Sequence, residues 1–300
     1  MPSFRSLKMW LRNLHWYLRD NGYREELRSE ISELRGLIED LRRTQRSLTW
    51  SYGHYLRLDP DDQILTRDLC VHGCTEEFET ELVREAVRPG DTVLDVGANI
   101  GYYTLHFAKL VGPTGRVFAF EPDPRNFALL RRNVAQNGYT NVTLVQKAVA
   151  AQTGPLRLYR NSANRGDHRV YASDAGRESI AIDAIRLDDF FADYRGRVNF
   201  IKFDIQGAEA AAWHGMSQLL ARQGALRMCT EFWPRGLHLC GHDPQAYLHS
   251  VLNAGFEIRV IDEQCRELMP LDIPKLLHRL PIEPDTDMLF TNLYCERKAA

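Results

Sequence analysis

Asp91-Thr-Val-Leu-Asp-Val-Gly-Ala-Asn-Ile-Gly-Tyr-Tyr-Thr104 decides how the rest of the chain is read, because it describes a buried strand running straight into a glycine-bearing turn and a helix. Val93, Leu94 and Val96 form a short apolar run bounded by turn residues, as expected of a strand covered on both faces. Asp95 interrupts that run near its carboxyl end. A carboxylate buried there must find donors, and an ammonium or nearby backbone N–H groups would supply them. Gly97 and Gly101 let the backbone turn tightly and approach a ligand with no Cβ in the way. Dinucleotide-binding loops carry three glycines as G-x-G-x-x-G. Asn99 stands where the middle glycine would be, which disfavours a pyrophosphate cradle.

The second strand points to a nucleoside instead. Arg116-Val-Phe-Ala-Phe-Glu121 ends in an acid about twenty positions after the glycine turn, where Rossmann-like sites place a carboxylate to accept hydrogen bonds from a ribose diol. Pro122-Asp123-Pro124 turns the chain outward into a helix expected over 126–137. Further strands are expected over 142–145, 198–204, 225–232, 256–261 and 288–295, with an extra hairpin over 154–159 and 179–187 and a helix over 243–255. The strands ending at Asp204 and Glu231 deliver both acids to the carboxyl edge beside the glycine turn, where the order reversal of a doubly wound sheet opens a crevice. Leu187-Asp188-Asp189 suggests N-capping of the helix that follows, and Pro270, Pro274, Pro281 and Pro284 an irregular excursion.

Acid, Gly, Asn, Gly in this order resembles the first motif of the S-adenosylmethionine-dependent methyltransferases. The longer string Asp-Val-Gly-Ala-Asn-Ile-Gly-Tyr-Tyr-Thr is similar to the FkbM methyltransferase family. Glu121-Pro-Asp-Pro-Arg-Asn-Phe127 matches the same family, and Ile201-Lys-Phe-Asp-Ile-Gln-Gly-Ala-Glu209 resembles its Lys-x-Asp-x-Glu-Gly-x-Glu signature with Gln206 in place of the acid. Thr75-Glu76 stands where such proteins commonly carry Tyr-Glu.

The resemblance covers about residues 70 to 295. It implies an α/β, Rossmann-like class I methyltransferase fold: a seven-stranded, mostly parallel sheet with one antiparallel strand and helices on both faces. It also implies an O-methyltransferase that uses S-adenosylmethionine and acts on a hydroxyl, often of a sugar, polysaccharide, glycolipid or polyketide. The cofactor residues it suggests are Asp95, Gly97, Asn99, Gly101, Glu121, Pro122, Asn126, Gln146, Ala148 and Asp204, with Gln146 at the adenine edge. Methyl transfer to oxygen needs alignment and removal of one proton, for which Asp204, Glu231, His214 and His238 are the candidates. Gln206 can orient a group but cannot act as a base.

Three regions follow from composition. Residues 1–50 form a helical segment, 51–89 a less regular cap ending in a helix over 76–87, and 90–300 the methyltransferase domain. Leu27, Ile31, Leu34, Ile38 and Leu41 recur at spacings of four and three, with polar Gln45 next in the seam and Leu48 resuming it, as in a short coiled coil that would hold a homo-oligomer. Phe4, Leu7, Trp10, Leu11, Leu14 and Tyr17 share a helical face beside Arg5, Lys8, Arg12 and Arg19. Such a face packs on protein or gives peripheral contact with a membrane.

With 300 residues, 44% hydrophobic, there is material for one large α/β domain and a small appendage, and a net charge of −2 argues against a nucleic-acid binder. Six cysteines without a C-x-x-C pair suggest reduced thiols of a cytoplasmic protein. Cys70-x-His72-x-Cys74 and His238-x-Cys240-x-His242 alternate metal-type ligands, but neither spacing is that of a zinc finger, and alternate strand positions with no metal are the simpler reading. An amine-methylating nucleic-acid enzyme would show Asp/Asn-Pro-Pro-Tyr where Asp204-Ile-Gln-Gly stands, and a catechol-type enzyme Asp-Asn where Glu231-Phe stands. A non-catalytic scaffold that retains a cofactor pocket is the remaining alternative, kept open by Gln206.

Overall fold

A computed structural model of the chain describes residues 30–34, 48–172, 176–283 and 289–298. Contacts divide the chain into 1–47 and 48–300. In the first unit residues 30–34 are helical. The rest of the expected coiled coil, and the aromatic and basic face from Phe4 to Tyr17, lie outside the described residues.

The second unit begins with a hairpin, β1 (Leu48–Ser51) and β2 (His54–Arg57), followed by α1 (Leu65–His72) and α2 (Glu77–Ala86). Then come β3 (Thr92–Val96), α3 (Tyr102–Val111), β4 (Arg116–Phe120), α4 (Pro124–Gln136), β5 (Val142–Val145), β6 (Ala148–Val149), β7 (Gly154–Arg160), β8 (Glu178–Ile185), α5 (Leu187–Phe190) and β9 (Phe200–Phe203). The chain ends with α6 (Glu209–His214), α7 (Ser217–Ala221), β10 (Leu226–Phe232), α8 (Pro234–Leu239), α9 (Pro244–Asn253), β11 (Glu257–Asp262), β12 (Glu267–Pro270), α10 (Ile273–Arg279) and β13 (Thr291–Arg297).

Eight strands form one sheet in the order β12-β11-β13-β10-β9-β3-β4-β5. From β10 to β5 the neighbours are parallel, while β13 runs antiparallel to both β10 and β11. That is the expected seven-stranded sheet with its one antiparallel member. The eighth strand, β12, pairs with β11 as a hairpin at the edge. It corrects the expected irregular excursion: Asp262 Oδ1 accepts the N–H groups of Gln264 and Cys265 to close the turn, and Pro274 falls in the first turn of α10, where a fixed φ is no obstacle.

Period-two alternation along β3 sorts its side chains between two apolar layers. Leu94 and Val96 join Phe203, Met228, Trp213 and Leu248 on one side, and Val93 joins Val83, Leu105, Phe107 and Leu130 on the other. Both faces are covered, so the strand needs apolar residues throughout. Asp95 therefore lies on the α2–α3 face, in register with Lys202 of β9. β6, β7 and β8 make a separate three-stranded sheet, an insert between β5 and α5. Asp188 caps α7 rather than its own helix, accepting from Gln218 and Leu219 N–H groups at 3.2 and 2.8 Å. Cys70 and His72 ride on α1 and His238 on α8, helical positions instead of the strand positions expected. Among the described residues no helix is long and apolar enough to cross a membrane.

A candidate cofactor cleft and acidic site

The sheet reverses its strand order between β3 and β9, and the loops that leave their carboxyl ends touch. Gly97 has φ 89°, and a Cβ there would stand 1.9 Å from the carbonyl oxygen of Asp204. Only glycine permits this approach. The Gly97 and Ala98 N–H groups donate to the Phe120 carbonyl at 3.0 and 2.9 Å, tying the loop to the end of β4. Glu121 follows directly. Its Oε2 accepts the Asn99 N–H at 2.9 Å and its Oε1 the Asp123 N–H at 2.8 Å, so the carboxyl group is fixed, with a free lone-pair direction on each oxygen once it is ionised. Burial pushes its pKa up to about 8, against the pull of those two donors.

Gly97, Asn99, Glu121, Pro122, Asn126, Ala148 and Asp204 all line one cleft, roofed by Arg165, Gly166, His168 and Val170 of the β7–β8 insert. Two buried amide oxygens of its wall, Asn99 Oδ1 and Asn126 Oδ1, accept no hydrogen bond among the described residues, and His168 Nε2 makes none either but lies 3.8 Å from Asp123 Oδ2. A polar ligand would supply what they lack. An adenosine bearing an amino-acid tail fits this donor set, with the apolar Ala148, Val149 and Leu158 beside the polar wall.

Three expected cofactor residues do not line it. Asp95 lies beneath the loop, where it accepts the Thr104 hydroxyl and burial lifts its pKa to about 6. Gly101 begins α3 with φ 97°, and a Cβ there would meet Leu130 Cδ1 at 2.8 Å. Gln146 turns outward to solvent, and Lys147 and Ala148 occupy the wall instead.

Beyond the glycine turn the cleft reaches a cluster of acids around one cation. Lys202 is 1% exposed, with Nζ 2.9 Å from Glu79 Oε1, 3.6 Å from Asp204 Oδ2 and 4.0 Å from Glu76 Oε2. It also lies 4.8 Å above the Tyr103 ring centroid. Burial works to lower its pKa, but Glu79, Glu76 and Asp204 outweigh it and hold the ammonium well above its ordinary value. Gln206 Nε2 donates to Asp204 Oδ1 at 2.9 Å and to Glu231 Oε1 at 3.2 Å, bridging the two carboxyl groups. Burial, then the neighbouring Asp204 and Glu209 carboxyl groups, drive the Glu231 pKa well above the usual carboxyl range. Its other oxygen, Oε2, is buried with no partner among the described residues. Asn292, opposite Glu231 across the β10–β13 ladder, donates to Glu76 at 2.5 Å.

Asp204 and Glu231 are thus brought together, 32% of the Asp204 side chain being open to solvent. His214 and His238 are not part of the site. Both are exposed, His214 at the end of α6 with its ring 5.7 Å from that of His242, His238 on the outer side of α8, and neither lines the cleft. Sequence reasoning placed them by chain proximity to Asp204 and Glu231, but the helices that carry them turn them away from the sheet edge. It missed Glu76, Glu79, Asn292 and the roof residues Arg165 and His168. Lys202 lay inside a quoted signature, and a lysine in the middle of the apolar run Phe200-Ile-Lys-Phe203 was the signal available.

The family model described as a methyltransferase FkbM domain matches residues 95–237. The 31-O-demethyl-FK506 methyltransferase FkbM of Streptomyces tacrolimicus is 41% identical over 198 residues, covering 53% of this chain and 73% of that protein. Methyltransferase 1 of Beauveria bassiana is 27% identical over 149 residues, 43% of this chain and 59% of its own length, so less than two thirds of that relative is matched. Among solved structures, methyltransferase FkbM from Methylobacillus flagellatus aligns with a TM-score of 0.40 at 17% identity, covering 72% of this chain and 50% of that one.

Proposed function

Because the chain belongs to the FkbM methyltransferase family, whose methyl donor is S-adenosylmethionine, we propose that it is an O-methyltransferase acting on a hydroxyl of a small molecule or glycan: a sugar, a polysaccharide or glycolipid unit, or a polyketide-like compound. One observation carries the reading. Two differently built acids meet at one cleft: Glu121, buried and pinned by two N–H groups, and Asp204, partly open and tethered by Gln206. The S. tacrolimicus relative is named for a substrate lacking a methyl on oxygen, which supports oxygen as the acceptor atom here.

When bound, S-adenosylmethionine supplies a methyl group already activated on a sulfonium. The chain's residues are left to bind, align and move one proton. Glu121 accepts the ribose hydroxyls, and Asn99 and Asn126 offer their unpartnered Oδ1 atoms to the cofactor's donors. Asp204 takes the acceptor's hydroxyl proton. Gln206 holds one oxygen of that carboxylate and Lys202 faces the other, so the group is oriented before the acceptor arrives. Glu231, whose proton is held more tightly by burial and the neighbouring acids, steadies Gln206 from the other side. The cleft encloses about 50 Å³, below the roughly 300–1,000 Å³ of typical ligand pockets.

Asp204→Asn tests the assignment because it keeps the shape and removes the charge. Labelled-methyl transfer, screened first against sugars, glycolipids and lipid-linked intermediates, should fall on the order of 10²-fold or more while S-adenosylhomocysteine binding measured by calorimetry persists. A variant that binds normally and turns over at the parent rate would remove Asp204 as the base.

A further inference from the structure

A second cavity, of about 410 Å³, is walled by Arg125, Arg160, Arg165 and Arg177, with Ser162 and Glu178 at its side. Arg165 lines both this cavity and the cofactor cleft. Its neighbour Gly166 runs close over the glycine turn: a Cβ at 166 would stand 3.6 Å from Asn99 Nδ2. Five residues on, the Tyr171 hydroxyl donates to the Gln206 carbonyl at 2.8 Å. The wall of the second cavity and the roof of the cleft are therefore one piece of chain, bonded to the loop that holds Asp204.

Four guanidiniums around one hollow repel, and acids hold each of them. Asp59 takes both Arg125 and Arg165, the latter at 2.9 Å, and Asp61 also holds Arg125, at 2.7 Å. Asp167 takes both Arg177 and Arg169, at 2.5 and 2.7 Å. Arg160 is 2.8 Å from Glu178 and 3.7 Å from Asp123. The pairing orients the arginines without using up their donors. Two carboxylates each answer two guanidiniums, and among the described residues the Arg165 side chain pairs through Nε alone, leaving both terminal amines. Glu178 is the one carboxylate of the cavity lining, and it is 72% exposed, so it can swing away and free Arg160. Planar forks held in fixed directions are suited to oxyanions, and several of them favour phosphoryl. One guanidinium satisfies the two oxygens of a carboxylate, whereas a tetrahedral phosphoryl group can take paired bonds from more than one.

We propose that this cavity binds a phosphoryl group carried by the methyl acceptor, so that the acceptor is anchored by its anionic end while its hydroxyl reaches Asp204. The acceptor assignment rests on the O-methyltransferase reading, whereas the anion site does not. Pyrophosphate is the first probe, titrated by calorimetry into the full chain with S-adenosylhomocysteine filling the cofactor cleft. Binding should be saturable, should weaken on the order of tenfold in Arg160→Ala, and should tighten several-fold in Glu178→Ala, with S-adenosylhomocysteine affinity unchanged in both. The gain in the second variant is one that misfolding cannot mimic. No saturable binding, competition with S-adenosylhomocysteine, or equal affinity across the three proteins would overturn the site. The second probe is a pair of acceptors of one skeleton, with and without a phosphoryl group. The phosphorylated one should show the lower KM, an advantage that Arg160→Ala removes. Equal KM for both overturns the acceptor assignment. Failure to methylate either counts against the methyl-transfer reading, and the titration then decides the anion site alone.

Discussion

Glu121 exposes the cofactor reading to two measurements that should move separately. The side chain is 5% exposed, and its proton is held up to about 8 against 4.5 for an ordinary Glu. Between those values the folded chain keeps a proton that the unfolded chain has lost, so stability falls as pH rises, by about 1.4 kcal/mol per unit from this group. At pH 7 that amounts to roughly 3 kcal/mol relative to a fold without the burial penalty. Glu121→Gln keeps the shape and cannot titrate, so the penalty disappears. In exchange its amide must face the Asn99 or Asp123 N–H, at a cost of about 1–3 kcal/mol. Net stability at pH 7 should stay within about 2 kcal/mol of the parent, while its dependence on pH flattens. Cofactor binding should weaken, because a ribose diol loses one acceptor and meets a donor in its place, on the order of 10- to 100-fold in affinity. Thermal unfolding from pH 5.5 to 8.5 and calorimetry with S-adenosylhomocysteine at pH 8.5 make the comparison. The other buried acids with raised values, Asp95 at about 6, Glu79 at about 8, Glu209 at about 7 and Glu231, are present in both proteins, so the difference isolates Glu121. Equal affinity would refute the ribose assignment, and parallel pH curves would refute the raised proton affinity.

Three more changes bear on the acidic site and the N-terminal segment. Lys202→Met leaves Glu79, Glu76 and Asp204 without their ammonium and should cost about 3–5 kcal/mol in a denaturant titration, part of which Glu79→Gln should restore in the double variant. Gln206→Glu puts a third carboxyl group between Asp204 and Glu231, so the activity profile should shift to higher pH and the rate at pH 7 should drop about tenfold, read as kcat against pH. Removal of residues 1–47 should lower the number of chains per particle found by light scattering, as expected if the Leu27, Ile31, Leu34, Ile38 and Leu41 seam joins two or more chains, and an unchanged number would refute the coil.

The central strands were legible because each is covered on both faces and must be apolar throughout. Val93, Leu94 and Val96, or Ile201 and Phe203, have no other reading, and the acids that end these runs marked the sheet edge. The glycines were legible for a related reason: Gly97 meets backbone, which leaves no room for any other residue. What sequence could not show was contact between segments far apart in the chain. Glu76 and Glu79 reach Lys202 across more than a hundred residues, and Asn292 reaches Glu76 from the other end. No local pattern records such a meeting. The histidines failed in the opposite way: proximity in sequence put them near the site, and the helical turn put them outside it.

Gln206 changes meaning once these neighbours are known. Read against the family signature, a missing acid suggests a lost base and a chain reduced to a scaffold. In the structure the same position stands between two carboxyl groups, with φ 54° and its amide donating to both. Among the described residues Lys202 is the one ammonium beside Asp204, and it is already shared with Glu79 and Glu76. A third acid at 206 would add repulsion with no further cation to meet it, and would push another proton onto the cluster. An amide instead gives Asp204 a fixed donor and satisfies one oxygen of Glu231. The exchange thus leaves the site with one carboxylate open to the cleft and held in place, which is the arrangement proton removal from a hydroxyl requires.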